Sequence, residues 1–314
     1  MRAVRVEKFG LDQVQVQDLP DPVPGMGEVL IATEAATINP ADAAVASGAA
    51  AGRFPPGATG PFTPGWDLVG TITACGDGVD RSLIGTKVLG FSLWFESFRG
   101  TQASLVALPI GNVVPAPDGL PPRQLTTVGL NGLTAWRGLA DLKLKDSETL
   151  VVTGATGGVG GFALELAASR GLSVVGVVHD DGDKAEAIAL GAAAAVTADG
   201  DLADQVRKVV ADGADALLDT ASIGAPALGA VRDGGKYVTV TNLPSPERGI
   251  DVFRSGGRMD AEALATLADM ASTGRLHTPV AKVFDIEDAR EAYEAFTHRS
   301  GRGRLVISFP DARP

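Results

Sequence analysis

The strongest chemical signal in the sequence is a glycine-rich turn between an apolar run and a helix-like run. The apolar run covers 150–153, the helix-like run covers 162–169, and the turn reads Gly154-Ala155-Thr156-Gly157-Gly158-Val159-Gly160. Glycines let the backbone approach a pyrophosphate, and the N–H groups at a helix start carry partial positive charge towards it. The pattern therefore predicts a dinucleotide site. A turn that only packs a helix on a sheet is the alternative.

The predicted cofactor contacts lie at the carboxyl ends of strand-like runs, because these ends face the ligand crevice of a parallel sheet. The backbone of the glycine turn is expected to contact the pyrophosphate. The two residues after the run 237–240 are expected to reach the nicotinamide edge. The residues predicted in these two segments are Ala155, Gly157, Gly158, Val159, Gly160, Thr241 and Asn242.

The choice between NADPH and NADH depends on the residue about twenty positions past the glycines, where an acid binds the ribose 2′-hydroxyl in NAD enzymes. That place is Val177 or Val178, and neither is acidic. Lys184 follows closely enough to offer charge to a 2′-phosphate. Three aspartates between 180 and 183 oppose this choice, unless they only cap the next helix. We predict NADPH, with NADH as the less favoured cofactor.

The chain divides into two regions with different residue patterns. Its first 120 or so residues carry short β-branched runs, such as 28–33, 68–73 and 87–91, separated by glycine and proline turns. Such runs are typical of a β-rich domain. Further on, strand-like runs alternate with helix-like runs, which is typical of a parallel sheet covered by helices. The predicted fold class is α/β, a doubly wound parallel sheet joined to a β-rich domain.

Composition excludes several classes of function. The 314 residues are 45% hydrophobic, enough for two cores. A single cysteine, Cys75, excludes an internal disulfide and a four-cysteine zinc site. The net charge of −11 opposes binding to nucleic acid or to an anionic membrane. Since the sequence has neither an apolar run of spanning length nor a signal-like start, we expect a cytoplasmic protein.

Four landmarks occur in order along the chain. They are Pro24-x-x-Gly27-Glu28-Val29-Leu30-Ile31, Ile38-Asn39-Pro40-Ala41-Asp42, Pro64-Gly65-Trp66-Asp67-Leu68-Val69-Gly70 and Gly132-Leu133-Thr134-Ala135-Trp136. With them the chain resembles the zinc-independent quinone oxidoreductase branch of the medium-chain dehydrogenase/reductase superfamily. The resemblance implies a GroES-like β-rich catalytic domain of residues 1–121 and 256–314, with a Rossmann domain of residues 122–255 inserted in it. It also implies a homodimer joined through a sheet edge, which we place at 236–241.

In zinc-dependent relatives the metal is held by side chains at three of these landmarks. The resemblance places Asn39, Trp66 and Leu130 or Asn131 there. Zinc prefers thiolate, imidazole or carboxylate ligands, so we predict no metal. Hydride addition to an isolated ketone leaves an alkoxide that needs a Lewis acid or a proton donor. Addition to a quinone or an enone spreads the charge, and a few hydrogen-bond donors can then suffice.

The predicted catalytic residues are Asn39, Thr134 and Trp66. The Asn39 amide can donate to a substrate oxygen, although asparagine before proline is also a turn former. The resemblance places Thr134 beside the nicotinamide and Arg304 near a phosphate; the alternatives are a helix cap and a surface arginine. Trp66 would line the pocket, or else belong to the core. Both tyrosines lie far from the N-terminal landmarks, so a tyrosine proton donor there is not expected.

The leading functional hypothesis is an NADPH-dependent reductase of quinones or α,β-unsaturated carbonyls. An enoyl reductase of polyketide-type secondary metabolism is the runner-up, because the glycine turn also resembles such modules. A protein that binds NADPH without turnover, as a sensor, is a third hypothesis. Turnover with a panel of acceptors distinguishes the three.

Overall fold

The computed structural model describes residues 1–58, 60–298 and 303–310. The chain packs into two compact units. The β-rich unit comprises Met1–Leu130, Met259–Gly274 and Thr278–Pro314, and the α/β unit comprises Asn131–Arg258 and Arg275–His277. Residues 299–302 and 311–314, within the predicted catalytic domain, lie outside the described residues.

Strands and helices are numbered along the chain. The strands are β1 (Arg2–Val6), β2 (Val14–Asp18), β3 (Glu28–Ile38), β4 (Asp67–Cys75), β5 (Lys87–Phe91), β6 (Leu105–Pro109), β7 (Val113–Pro115), β8 (Thr149–Thr153), β9 (Ser173–Val178), β10 (Ala194–Thr197), β11 (Ala214–Asp219), β12 (Val231–Thr239), β13 (Asp251–Arg254), β14 (Val280–Asp285) and β15 (Arg304–Ser308). The α-helices are α1 (Pro40–Ser47), α2 (Trp94–Ser97), α3 (Pro122–Leu125), α4 (Gly129–Leu142), α5 (Gly158–Ser169), α6 (Lys184–Ala189), α7 (Leu202–Arg207), α8 (Ala261–Ser272) and α9 (Ala289–Thr297).

The β-rich unit is built around the long strand β3. Its main sheet has the order β14-β15-β3-β4-β5-β7, and β6 also pairs with β3. All of these pairings are antiparallel except that of β14 with β15. Apolar side chains from β3, β4 and β6 form one core, which includes Val29, Ile31, Leu68, Ile72 and Leu108. Strand β3 ends at Ile38, so Asn39 directly follows the central strand of this sheet.

The α/β unit contains a six-stranded parallel sheet of order β10-β9-β8-β11-β12-β13. Numbered from β8, this order is 3-2-1-4-5-6, that of a Rossmann fold. Leu150, Val151 and Val152 of the first strand are fully buried, as expected for a parallel strand covered on both faces. The predicted fold class is confirmed.

One prediction about this sheet is wrong. Residues 236–241 were expected to form its free edge, but Lys236–Thr239 of β12 pairs in register with Asp251–Arg254 of β13. The edge strands of the described sheet are therefore β10 and β13.

The boundaries between the two units lie a few residues later along the chain than predicted. The first falls between 130 and 131 rather than between 121 and 122, and the second between 258 and 259 rather than between 255 and 256. Helix α3 packs on β3 and β4, and the Leu130 N–H donates to Asp67 at 2.5 Å, so the segment up to 130 stays with the β-rich unit. The short segment Arg275–His277 also belongs to the α/β unit, where the His277 N–H donates to the Glu165 carboxylate at 3.1 Å. Within the described chain, no helix is long and apolar enough to cross a bilayer.

Candidate functional site

The glycine turn of the α/β unit is held in a shape that excludes side chains. Gly154 has a φ of 59°, a left-handed conformation that favours glycine. Its carbonyl accepts a hydrogen bond from the Gly157 N–H at 2.8 Å. A Cβ placed on Gly160 would lie 2.1 Å from the same carbonyl oxygen. The start of α5 therefore packs directly on the turn, and Gly160 is required by close approach.

The predicted residues of the turn divide by exposure. Gly157 is exposed, and Gly158 and Val159 are half-buried at the start of α5. Gly160 and Ala155 are buried, and the Ala155 N–H donates to the Val177 carbonyl at 3.0 Å. The accessible part of the turn is thus the backbone of 157–159, whereas Ala155 and Gly160 maintain the shape of the turn.

A cavity of about 620 Å³ lies within the α/β unit at the carboxyl side of its sheet. It is lined by the loops that follow β10 and β11, through Ala198, Gly200, Asp201, Leu202, Ile223 and Pro226. Cavities of a few hundred cubic ångströms hold small ligands and cofactors. The cavity and the glycine turn both lie at the carboxyl side of the sheet, which is where ligands bind in folds of this kind.

The end of β9 carries mixed charge. The strand ends at Val178, and Asp180 follows it as an exposed residue. Lys184 opens α6, and its ammonium lies 2.6 Å from the Asp181 carboxylate. Neither the Asp180 nor the Asp183 side chain accepts a capping hydrogen bond from the helical turn that it precedes, so the capping alternative is wrong for these two. The ammonium group of Lys184 is therefore available at the end of β9 but forms an ion pair with Asp181.

Thr241 and Asn242 are exposed and lie just past the end of β12. The Thr241 hydroxyl donates to the Ser222 hydroxyl at 2.9 Å, which joins the segments that follow β12 and β11. Ser222 was not predicted. It lies three residues past a strand end, which is the signal that could have identified it.

In the β-rich unit, Asn39 is fully buried between β3 and α1. Its N–H donates to the Asp42 carboxylate at 2.7 Å, in a capping box with proline at the first helical position. Its side-chain amide donates to Asp67 at 2.7 Å. These contacts favour the turn-forming interpretation of Asn39.

Asp67 connects several landmarks of the β-rich unit and is fully buried. One carboxylate oxygen accepts from Asn39 and the other from the Leu130 N–H. A Cβ on Gly129 would lie 2.1 Å from the latter oxygen, so glycine is needed there. Burial raises the pKa of the Asp67 carboxyl to about 7, although the two hydrogen bonds and the charge of Arg304 lower it.

Asp42 and Tyr293 extend this buried polar cluster. Burial raises the pKa of the Asp42 carboxyl well above its ordinary value; the Asn39 N–H opposes the rise and the charge of Asp67 adds to it. Tyr293 donates to Gln102 at 2.8 Å and is fully buried, and its pKa is raised by burial and by the charge of Asp42. Tyr293 therefore lies close to a landmark despite its distance in sequence, contrary to the prediction.

Trp66 belongs to an aromatic cluster. It is 5% exposed, with ring centroids 5.6 Å from Trp94 and 5.5 Å from Phe95. Trp94 is fully buried, whereas Phe95 is half-buried and has the Arg53 guanidinium 3.6 Å from its ring centroid. The cluster thus combines a buried core with one half-buried ring that is covered on a face by Arg53.

Two alternatives for predicted residues are wrong. Thr134 does not cap a helix, because α4 begins at Gly129 and Thr134 is buried in its second turn. The start of α4 is instead capped by the carboxylate of Asp67, since a negatively charged group is stabilised at the positive end of the helix dipole. Arg304 is not a surface residue: it is 7% exposed, on β15, and its charge lowers the pKa of Asp67.

The donor set at the landmarks does not fit zinc. Asn39 has its amide committed to Asp67, Trp66 packs in the aromatic cluster, and Leu130 or Asn131 offers neither thiolate nor imidazole. Across residues 1–58, 60–298 and 303–310, no three His, Cys, Asp or Glu side chains are grouped to hold a metal ion.

Two family models match the chain. The alcohol dehydrogenase GroES-like domain matches residues 25–118, and the zinc-binding dehydrogenase domain matches residues 190–307. The chain is a quinone oxidoreductase-like member of the medium-chain dehydrogenase/reductase superfamily. Nicotinamide dinucleotides are the cofactors of this superfamily, so the chain is an oxidoreductase of that cofactor class.

Individual relatives agree over nearly the whole chain. A quinone oxidoreductase from Rattus norvegicus is 27% identical over 98% of this chain and 97% of its own. An alcohol dehydrogenase from Moraxella sp. (strain TAE123) is 27% identical over 98% of this chain and 99% of its own. The structure of a quinone oxidoreductase from Coxiella burnetii has a TM-score of 0.87 at 22% identity, over 98% of this chain and 99% of that chain. At that identity the likeness shows the fold alone.

Proposed function

We propose that this protein transfers hydride from NADPH to a quinone or an α,β-unsaturated carbonyl, without a catalytic metal. The observation that carries the proposal is the set of side chains at the landmarks. The resemblance places Asn39, Trp66 and Leu130 or Asn131 where zinc-dependent relatives hold their metal, and the Asn39 amide and the Leu130 N–H both donate to Asp67. An acceptor whose reduced form spreads its own negative charge suits a site of this composition.

The reduced nicotinamide supplies the hydride when bound. The backbone of 157–159 would hold the pyrophosphate, and Thr241 and Asn242 would hold the nicotinamide edge. Phe95, the half-buried member of the aromatic cluster, with Trp66 packed against it and Arg53 over its ring, would line the site of a planar acceptor. Thr134 and Arg304 complete the proposed contacts, with the nicotinamide and a phosphate respectively. Asn39 would then act by holding Asp67 and the start of α1.

The NADPH preference rests on Val177, Val178 and Lys184. The last two residues of β9, Val177 and Val178, offer no carboxylate to a ribose 2′-hydroxyl, and Lys184 carries a positive charge near by, although Asp180 and Asp181 follow the strand. Asp181 shares that charge at 2.6 Å, so a 2′-phosphate would compete with it for Lys184. Asp181→Asn is therefore expected to lower the KM for NADPH and to leave the KM for NADH unchanged. An equal change in both would contradict the assignment of Lys184.

The function is tested by following cofactor oxidation with a panel of acceptors: 1,4-benzoquinone, a naphthoquinone, a linear enone, an enoyl thioester and a saturated ketone. We expect turnover with the quinones or the enone, little with the ketone, and a higher kcat/KM with NADPH than with NADH. Turnover confined to the enoyl thioester would establish the enoyl reductase instead. Tight NADPH binding without turnover on any acceptor would establish a sensor.

We also propose a homodimer in the cytoplasm. Two edge strands of the described α/β sheet, β10 and β13, each have one unpaired side that could pair across a dimer. Light scattering at several protein concentrations tests the dimer, and a monomer at all of them would contradict it.

A further inference from the structure

A buried polar network lies beneath the loop that follows β11, and the proposed function does not use it. Asp219, the last residue of β11, is fully buried. Its carboxylate accepts from the Thr153 hydroxyl at 2.6 Å and from the Tyr237 hydroxyl at 2.6 Å. Thr153 ends β8 and Tyr237 lies on β12, so hydroxyls from both neighbouring strands converge on one carboxylate.

The same carboxylate also binds the backbone of the loop. It accepts from the N–H groups of Ala221 and Ile223 at 3.2 Å each, and from that of Gly224 at 2.9 Å. All five donors are neutral, and hydrogen bonds to a charged acceptor are about twice as strong as neutral ones. The loop 220–224 is therefore fixed from below by Asp219, and also by the Thr153 hydroxyl, which accepts from the N–H groups of Thr220 and Ala221.

The loop held in this way borders both parts of the candidate dinucleotide site. The Thr220 hydroxyl donates to the Thr153 carbonyl at 2.6 Å, and a Cβ on Gly154 would lie 3.2 Å from that hydroxyl and from Ala221. The loop thus packs on the glycine turn. At its other end Ile223 lines the 620 Å³ cavity, and Ser222, with a φ of 60°, presents its hydroxyl to Thr241. A non-glycine residue at positive φ persists only where its surroundings hold it.

We propose that Asp219, Thr153 and Tyr237 are positioning residues that preorganise loop 220–224 for the adenosine and pyrophosphate portion of the dinucleotide. The inference rests on the proposed function, since it assumes that the dinucleotide binds in this unit. A preorganised loop binds without an ordering cost, so loosening the network weakens binding even though none of the three side chains needs to touch the ligand.

The test measures the Kd of the full-length protein for NADPH, NADH and ADP-ribose, together with its thermal unfolding. Tyr237→Phe removes one donor from Asp219 and keeps the ring; Thr153→Val removes another and keeps the shape. We expect the Kd for all three ligands to rise about tenfold in each variant, equivalent to about 1.4 kcal/mol. Thr153→Val provides the result if Tyr237→Phe does not fold.

Tyr293→Phe is the matched control, because Tyr293 is a fully buried, hydrogen-bonded tyrosine of the β-rich unit. It is expected to lower the unfolding temperature and to leave each Kd unchanged. Variants at Tyr237 and Thr153 that lose stability but keep the wild-type Kd would overturn this inference, since the network would then be structural only. A wild-type protein that binds none of the three ligands would overturn the proposed function itself.

Discussion

The buried carboxyl of Asp67 predicts an unusual dependence of stability on pH. An aspartate in the unfolded chain has its ordinary pKa of 3.8, whereas burial raises the folded value to about 7. Between these values the unfolded chain releases the proton and the folded chain retains it. The free energy of unfolding therefore falls as pH rises, and the contribution present below pH 3.8 is lost by the time the pH passes 7.

The magnitude follows from the shift. Each pKa unit corresponds to about 1.4 kcal/mol, so raising the pH from 5.5 to 8 should cost the wild-type protein about 2 kcal/mol through this group. Asp67→Asn cannot titrate and should lose this dependence. The variant also places an amide N–H group against the donor of Asn39 or of Leu130, so one hydrogen bond is lost. This loss should lower the free energy of unfolding by about 1–3 kcal/mol at every pH.

The assay is urea unfolding of the wild type and of Asp67→Asn at pH 5.5 and at pH 8. The difference in unfolding free energy between the two proteins should shift by about 2 kcal/mol between the two pH values, because titrating groups that are not coupled to Asp67 cancel. Asp77→Asn, at an exposed aspartate of the same unit, is the control and should show no such shift. A wild-type-to-Asp67→Asn difference that is constant with pH would refute the assignment of a raised pKa.

Two further predictions concern the α/β unit. Lys184→Gln should raise the KM for NADPH about tenfold, because one charge-assisted contact is lost, and should leave the KM for NADH unchanged. The control is Lys208→Gln, at an exposed lysine, which should change neither KM in steady-state assays. An equal rise in KM for both cofactors in Lys184→Gln would rule out a 2′-phosphate contact. Gly160→Ala would place a Cβ 2.1 Å from the Gly154 carbonyl and should abolish dinucleotide binding in a calorimetric titration. Gly182→Ala, where a Cβ meets nothing within 4 Å, should bind as the wild type does, and wild-type affinity in Gly160→Ala would show that the turn is not the binding surface.

The parallel sheet was predictable because its strands are continuous apolar runs separated by helix-like runs. In the β-rich unit, strand β5 likewise coincides with the predicted run 87–91. Strand β13 was not predictable, because its four residues, Asp251–Arg254, alternate too briefly to show a period. The prediction that residues 236–241 form the sheet edge is wrong because β13 pairs beside β12.

The site was harder to predict than the fold, because its contacts join residues distant in sequence. Helix α4 was expected to begin near Thr134, but its start at Gly129 is capped by Asp67, 63 positions from Leu130 in the chain. Tyr293 lies beside Asp42 for a similar reason, through the return of the C-terminal segment to the β-rich unit. A local pattern carries no information about caps and partners of this kind.

The central claim is hydride transfer without a metal, and metal analysis combined with activity tests it most directly. We predict that the purified protein contains substoichiometric zinc by mass spectrometry and oxidises NADPH with 1,4-benzoquinone at an undiminished rate after dialysis against a chelator. Stoichiometric zinc, with activity lost to the chelator and restored by adding zinc back, would contradict the account.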